Sequence, residues 1–189
     1  MSTPPKPHLS PEEYLELERK AEFKSEYFQG EMVAMTGFSL VHNLVAGNTL
    51  AVLWQQLRPG PCEVLPSNMR LHVRETGLFT YPDVVAYCGE PQLLDEQMDT
   101  LLNPILIVEV LSPSTEAYDR GRKFHQYQLI ESLQDYLMVC SDRVHADLHT
   151  REPGARWRLS WGDCIEDTLE LPSVGCRVKL SDLYEGVEL

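Results

Sequence analysis

The run ILIVEVL at residues 105–111 constrains this chain more than any other stretch: six aliphatic residues surround a single charge, Glu109. Its length and β-branched content suit a strand buried on both faces. A fully buried, unpaired carboxylate costs several kcal/mol, or shifts its pKa until it is neutral. Whatever fold forms must therefore bring a positive group to the end of this strand.

A length of 189 residues fits one domain, able to bury roughly 70% of its unfolded surface. We read residues 1–9, with Pro4, Pro5 and Pro7, as a flexible arm and residues 10–189 as that domain. The 43% hydrophobic content suits a packed core rather than a disordered segment. No apolar stretch approaches the roughly 18 residues that span a bilayer, and MSTPPKPHLSPEEY has no apolar core like that of a signal peptide. A cytoplasmic location, without membrane contact, is expected.

The five cysteines, Cys62, Cys88, Cys140, Cys164 and Cys176, are scattered and never form a CxxC pair, so neither a disulfide framework nor a zinc cluster is expected. The net charge of −13 argues against a protein that coats nucleic acid, because such binding rests on Lys and Arg displacing counterions. Any affinity for DNA should be low. The acid concentrates in Glu90, Asp95, Glu96 and Asp99, in a mobile-looking loop, and again around Asp163, Glu166, Asp167 and Glu170. Arg120, Arg122 and Lys123 form a basic island.

SPEE places Ser10 as N-cap, Pro11 at the first helical position and Glu13 at the reciprocal capping site, predicting a helix to about Lys20. KSEYFQGEMVAMTG predicts two strands around a turn at Gln29 and Gly30. Helical spacing from Ser39 to Arg58 predicts the longest helix, closed by PGP. Strands are expected at CEVL, MRLHVRE, FTYPDVVAYCG and ILIVEVL, then a helix near Asp119 to Leu133, then strands at DYLMVCSD, VHADLHTR, RWRLSWGD, LELP and CRVKL. This order implies an α+β fold, or an α/β-like one, with a mixed central β-sheet flanked by helices.

Asp83 follows Pro82, which has no amide hydrogen and so favours a sheet edge or strand start. If its strand neighbours that of Glu109, two carboxylates converge at one sheet margin, and each raises the other's pKa unless a cation lies between them. Mg²⁺ meets that need, taking oxygen ligands from one or two carboxylates plus waters and phosphate. Lys123 lies too far along the chain to share the strand, but a returning helix could bring its ammonium to the metal, with Tyr127 one turn on.

SEYFQGE, His42 in the long helix, YPDVVAY, IVEVLSPSTEAYDRGRKFHQY and ESLQDYLMV together resemble the Uma-two family of restriction endonucleases, in the PD-(D/E)xK nuclease superfamily. The resemblance runs from about Ser10 to Leu183 and implies a restriction-endonuclease-like core. It implies a Mg²⁺-dependent endonuclease acting on DNA, with Mn²⁺ as a substitute metal, and cutting both strands of a duplex with two symmetric sites makes a homodimer the expected form. Asp83, Glu109 and the backbone carbonyl of Val110 would hold the metal; Lys123 and Glu26 would complete the catalytic set; Arg120, Arg122, Tyr127 and His42 would contact substrate. Leu111 stands where the superfamily pattern has lysine, so Lys123 is the natural replacement.

Ordinary structural roles compete with each assignment: a turn residue for Asp83, a solvated helix face for Lys123, an exposed hairpin carboxylate for Glu26, a satisfied helix histidine for His42. His145, Asp147 and His149 alternate as metal ligands could, but read better as a solvated sheet face. Ser112 and Ser114 lack a nucleophile-elbow context, and Trp54, Trp157 and Trp161 read as packing. The rival function is a catalytically inactive protein that keeps the nuclease fold for an interaction or regulatory role.

Overall fold

The computed structural model describes residues 8–35 and 39–189. Residues 1–7 of the expected arm, and the end of the hairpin segment at Thr36 and Gly37, lie outside the described residues. Leu9, at the arm's end, is tied down: its N–H donates to the Gly30 carbonyl at 3.0 Å and its carbonyl accepts from the Tyr27 hydroxyl at 2.8 Å.

Helix α1 (Pro11–Glu18) begins where SPEE places it, with the Ser10 hydroxyl accepting from Glu13 N–H and the Glu13 carboxylate accepting from Ser10 N–H. Strands β1 (Ser25–Phe28) and β2 (Glu31–Ala34) form the expected hairpin, and α2 (Leu40–Leu57) is the longest helix. Then follow β3 (Cys62–Pro66), β4 (Arg70–Val73), β5 (Leu78–Thr80), β6 (Val84–Cys88), β7 (Thr100–Leu101) and β8 (Leu106–Leu111). After a helical segment come β9 (Asp135–Cys140), β10 (Ala146–Glu152), β11 (Arg156–Gly162), β12 (Thr168–Leu171) and β13 (Cys176–Lys179).

The central sheet has six strands in the order β11-β10-β9-β8-β6-β3; β8 and β9 run parallel and the other neighbours antiparallel, so it is mixed as expected. Every residue of β8 is buried, because α2 and the β12–β13 ribbon cover one face while Phe124, Tyr127 and Ile130 pack on the other. A second sheet, β2-β1-β5-β4-β7, was not anticipated. It exists because FTYPDVVAYCG is not one strand: the chain leaves the five-stranded sheet after Thr80 and enters the central sheet at Val84, with the donor-less Pro82 between them.

The expected helix from Asp119 to Leu133 is shorter and irregular. It comprises α3 (Glu116–Tyr118), a π-helical turn (Asp119–Lys123) and α4 (Phe124–Tyr127). It stops there because the Arg151 guanidinium takes up the carbonyls of Gln128, Ile130 and Leu133, so those acceptors need no further helical turn. A final short helix, α5 (Leu180–Leu183), closes the chain.

Four expectations are corrected. Cys62 and Cys88, directly opposed across β3 and β6, form a disulfide. The acidic loop is anchored, Arg19 reaching Asp95 at 2.7 Å and Asp99 at 2.8 Å. Asp147 is buried against Arg120 rather than solvated. Trp157 packs on the core, but Trp54 and Trp161 are exposed. Among the described residues no helix is long and apolar enough to cross a membrane.

Candidate active site

The register of β6 against β8 pairs Val84 with Val108, so Asp83 and Glu109 occupy the next opposed positions, where antiparallel side chains share a face. Their strands are neighbours, as the carboxylate argument required. β6 begins at Val84, and one residue before it the Asp83 side chain extends the pairing: Asp83 Oδ2 accepts from the Val110 N–H at 2.7 Å. Asp83 Oδ1 lies 2.9 Å from His42 Nε2, presented by the first turn of α2. Both Asp83 and His42 are buried.

Glu109 is only 4% exposed, and two groups meet it. Lys123 Nζ lies 2.9 Å from Glu109 Oε1, and the Tyr127 hydroxyl donates to the same oxygen at 2.8 Å. The ammonium also contacts Glu26 Oε1 at 3.0 Å and Asp119 Oδ1 at 3.5 Å. Glu26 is held in turn by the Thr80 hydroxyl and, at 3.3 Å, by the Tyr118 hydroxyl. Thus β1, β5, β8 and the π-helical segment converge on one lysine.

Electrostatically the cluster is short of positive charge. Burial raises the Glu109 carboxyl to about 8; Lys123 opposes this, while Asp119 and Asp83 add to it. Burial likewise raises Asp119. For Lys123 burial favours loss of the proton, but Glu109, Glu26 and Asp119 outweigh it and hold the ammonium well above the ordinary lysine value. A simple ion pair would raise the lysine and lower the acid. Here both rise: burial lifts Glu109 by more than Lys123 lowers it, Asp119 and Asp83 add to the rise, and Lys123 is held up by three carboxylates.

These groups line a cavity of about 370 Å³ whose walls include Glu26, His42, Asp83, Glu109, Lys123 and the hydroxyl-bearing loop Ser112–Thr115. The donor set is all oxygen, which suits a hard divalent cation. Among the described residues, three potential ligand atoms come within 4.8 Å of one another only at Asp163, Cys164 and Asp167. At the cavity, the Lys123 ammonium contacts both Glu26 and Glu109, and Asp83 stands opposite Glu109, bonded to the Val110 N–H.

The sequence-derived substrate residues divide. His42 lines the cavity, bonded to Asp83. Tyr127 is fully buried beneath Glu109 and orients that carboxylate instead of facing a ligand. Arg120 is engaged by Glu116 at 2.7 Å and by Asp147. Arg122 lies with its guanidinium 5.3 Å over the Phe28 ring, beside a second cavity. Asp119, Tyr118 and Thr80 were missed; the i, i+4 spacing of Asp119 and Lys123 was the available signal.

Residues 11–178 match the Uma2 family, described as "Putative restriction endonuclease". The uncharacterized protein slr1290 of Synechocystis sp. is 39% identical over 183 residues, covering 97% of this chain and 95% of the relative. A second Synechocystis sp. relative, the uncharacterized protein sll1609, is 34% identical over 80% of this chain and 86% of its own. A solved structure from Anabaena variabilis, titled a "putative nuclease belonging to DUF820", superposes with a TM-score of 0.75 at 17% identity, covering 93% of this chain and 97% of that one. Its architecture, a mixed sheet flanked by helices, is the one found here. By the match along its length and by its restriction-endonuclease-like fold, this chain belongs to the Uma2 family.

Proposed function

We propose that the chain is a Mg²⁺-dependent endonuclease that hydrolyses phosphodiester bonds in DNA, with Mn²⁺ able to replace Mg²⁺. The observation that carries this reading is the opposition of Asp83, just ahead of β6, to Glu109 within β8, with the buried Lys123 ammonium against Glu109. Family membership and the nuclease fold support it. An excess of buried carboxylate over ammonium, in an all-oxygen donor set, is what a divalent cation would relieve.

Asp83, Glu109 and the Val110 carbonyl would hold the ion. When bound it supplies Lewis acidity, lowering the pKa of a water and drawing charge from a phosphate oxygen. His42 and the Val110 N–H fix both oxygens of Asp83, and Tyr127 fixes Glu109, so the ligands are oriented before metal arrives. Lys123, held by Glu26, Glu109 and Asp119, would act through its charge on the negative charge that builds on phosphorus-bound oxygens. Glu26, whose Oε2 accepts a long bond from Tyr118, would take a proton from the attacking water. Cutting both strands of a duplex would be served by a homodimer with two symmetric sites.

The net charge of −13 favours a second reading, an inactive nuclease fold used for interaction. Purified protein incubated with supercoiled plasmid and Mg²⁺ or Mn²⁺ tests the two. The enzyme reading expects metal-dependent nicking that Asp83→Asn abolishes without loss of fold. Intact plasmid under both metals would favour the second.

A further inference from the structure

The second cavity, about 560 Å³, adjoins the first and shares Glu26, Val33 and Tyr118 with it. Its own lining adds Phe28, Arg122 and Gln29. The Arg122 guanidinium over the Phe28 ring forms a cation–π pair, and Tyr118 supplies another aromatic wall, its hydroxyl bonded to Glu26. Chemically this is unlike the first cavity. It is lined by the Phe28 and Tyr118 rings and by Val33 and Leu78, together with Glu26, Glu31, Gln29 and Arg122.

Two carboxylates, Glu26 and Glu31, border it, so a phosphate entering would be repelled. A flat, uncharged, hydrogen-bonding body would not. A nucleobase has a π-face for Phe28 and Arg122 and exocyclic amino groups for carboxylate or amide acceptors. The Lys123 ammonium, offered above as the charge that steadies the phosphate, touches Glu26 from the other side. A phosphate at Lys123 would thus have the base slot across one carboxylate.

We propose that the Phe28–Tyr118–Arg122 cavity receives an unpaired base flanking the scissile phosphate, so that single-stranded DNA is preferred over duplex, whose nucleotides must first leave their stack. This rests on the nuclease reading above. Inside a duplex a base is paired and stacked on both sides and cannot enter such a slot without being extruded.

The test is fluorescence anisotropy with an end-labelled oligodeoxynucleotide, in Ca²⁺ to limit cleavage, comparing single strand with the duplex of the same sequence. Wild type should bind the single strand more tightly. Phe28→Ala and Arg122→Ala should each weaken it about 5- to 100-fold, the range that loss of one base–aromatic stack gives. Arg122 is exposed, so its variant keeps the test decisive should Phe28→Ala fail to fold. Equal affinity for duplex, or single-strand affinity unchanged in Arg122→Ala, would overturn the base slot while leaving the nuclease reading standing. Binding of neither nucleic acid by wild type would overturn both. RNA of the same sequence separates the two sources of an unpaired base: tighter binding to it would overturn the DNA assignment.

Discussion

Replacing Lys123 by Met removes the one ammonium that faces Glu26, Glu109 and Asp119 while keeping an unbranched chain in the same buried position. Deleting one partner of a buried ion pair costs about 3–5 kcal/mol, because a buried charge is left uncompensated. In a domain of this size 1 kcal/mol moves Tm by about 2–4 °C, so Lys123→Met should melt about 6–20 °C below wild type in EDTA. If the cavity binds a divalent cation, that ion supplies the missing charge. At a hundredfold excess over Kd it returns about 2.7 kcal/mol, most of the loss. The double variant Lys123→Met/Glu109→Gln should also recover, since the second change removes a surplus carboxylate, and the coupling between the two substitutions should exceed about 1 kcal/mol. Differential scanning calorimetry of all four proteins, with and without Mg²⁺, reads every quantity. A Lys123→Met variant that melts with wild type in EDTA would show that the ammonium is not compensating these carboxylates, and the electrostatic case for a metal would fall with it.

Asp83→Asn should keep its bonds to His42 and Val110 but lose metal-dependent plasmid cleavage by more than about 100-fold, since even outer-shell changes at metal sites cost 10–100-fold. Circular dichroism checks that the fold persists. Glu109 has a folded pKa raised to about 8, so the metal-free folded state holds more protons than the unfolded chain between about pH 4.5 and 8. Its contribution is present below the unfolded value and is lost as pH rises through about 8; urea midpoints in EDTA should follow that sign. Metal must displace this proton, so calorimetric titration of Mg²⁺ at pH 7 in buffers of different ionisation heat should show proton release, absent in Glu109→Gln. Reducing Cys62–Cys88, which closes a separation of 26 residues, should lower stability by about 2–4 kcal/mol, read from denaturation with and without dithiothreitol.

The hairpin, the long helix and the buried strand with its acid were legible because each rests on local pattern: the capping box at Ser10, apolar spacing through α2, and an aliphatic run too short for a helix. Glu109 stood out because an isolated charge in such a run demands explanation, and Asp83 because Pro82 marks the start of its strand. What local pattern does not carry is the choice of sheet. Thr80 and Val84 are four residues apart, yet belong to different sheets, and Pro82 marks a break without telling where the chain goes next. Lys123 was found through its basic neighbours, but its π-helical turn and its contact with Asp119 depend on tertiary packing. Tyr127 was placed on the correct side of its helix and given the wrong job, since periodicity orients a side chain without saying how much lies above it. The cystine escaped because register, not spacing along the chain, opposes Cys62 to Cys88.

That register carries an evolutionary corollary. Asp83 meets Glu109 through the phase of a pleat, so losing or gaining one residue between Thr80 and Val84 would turn the acid toward the opposite side of the sheet. Point changes in the surrounding aliphatics are thus far easier for this lineage to absorb than a single-codon indel at the Tyr81–Asp83 crossover.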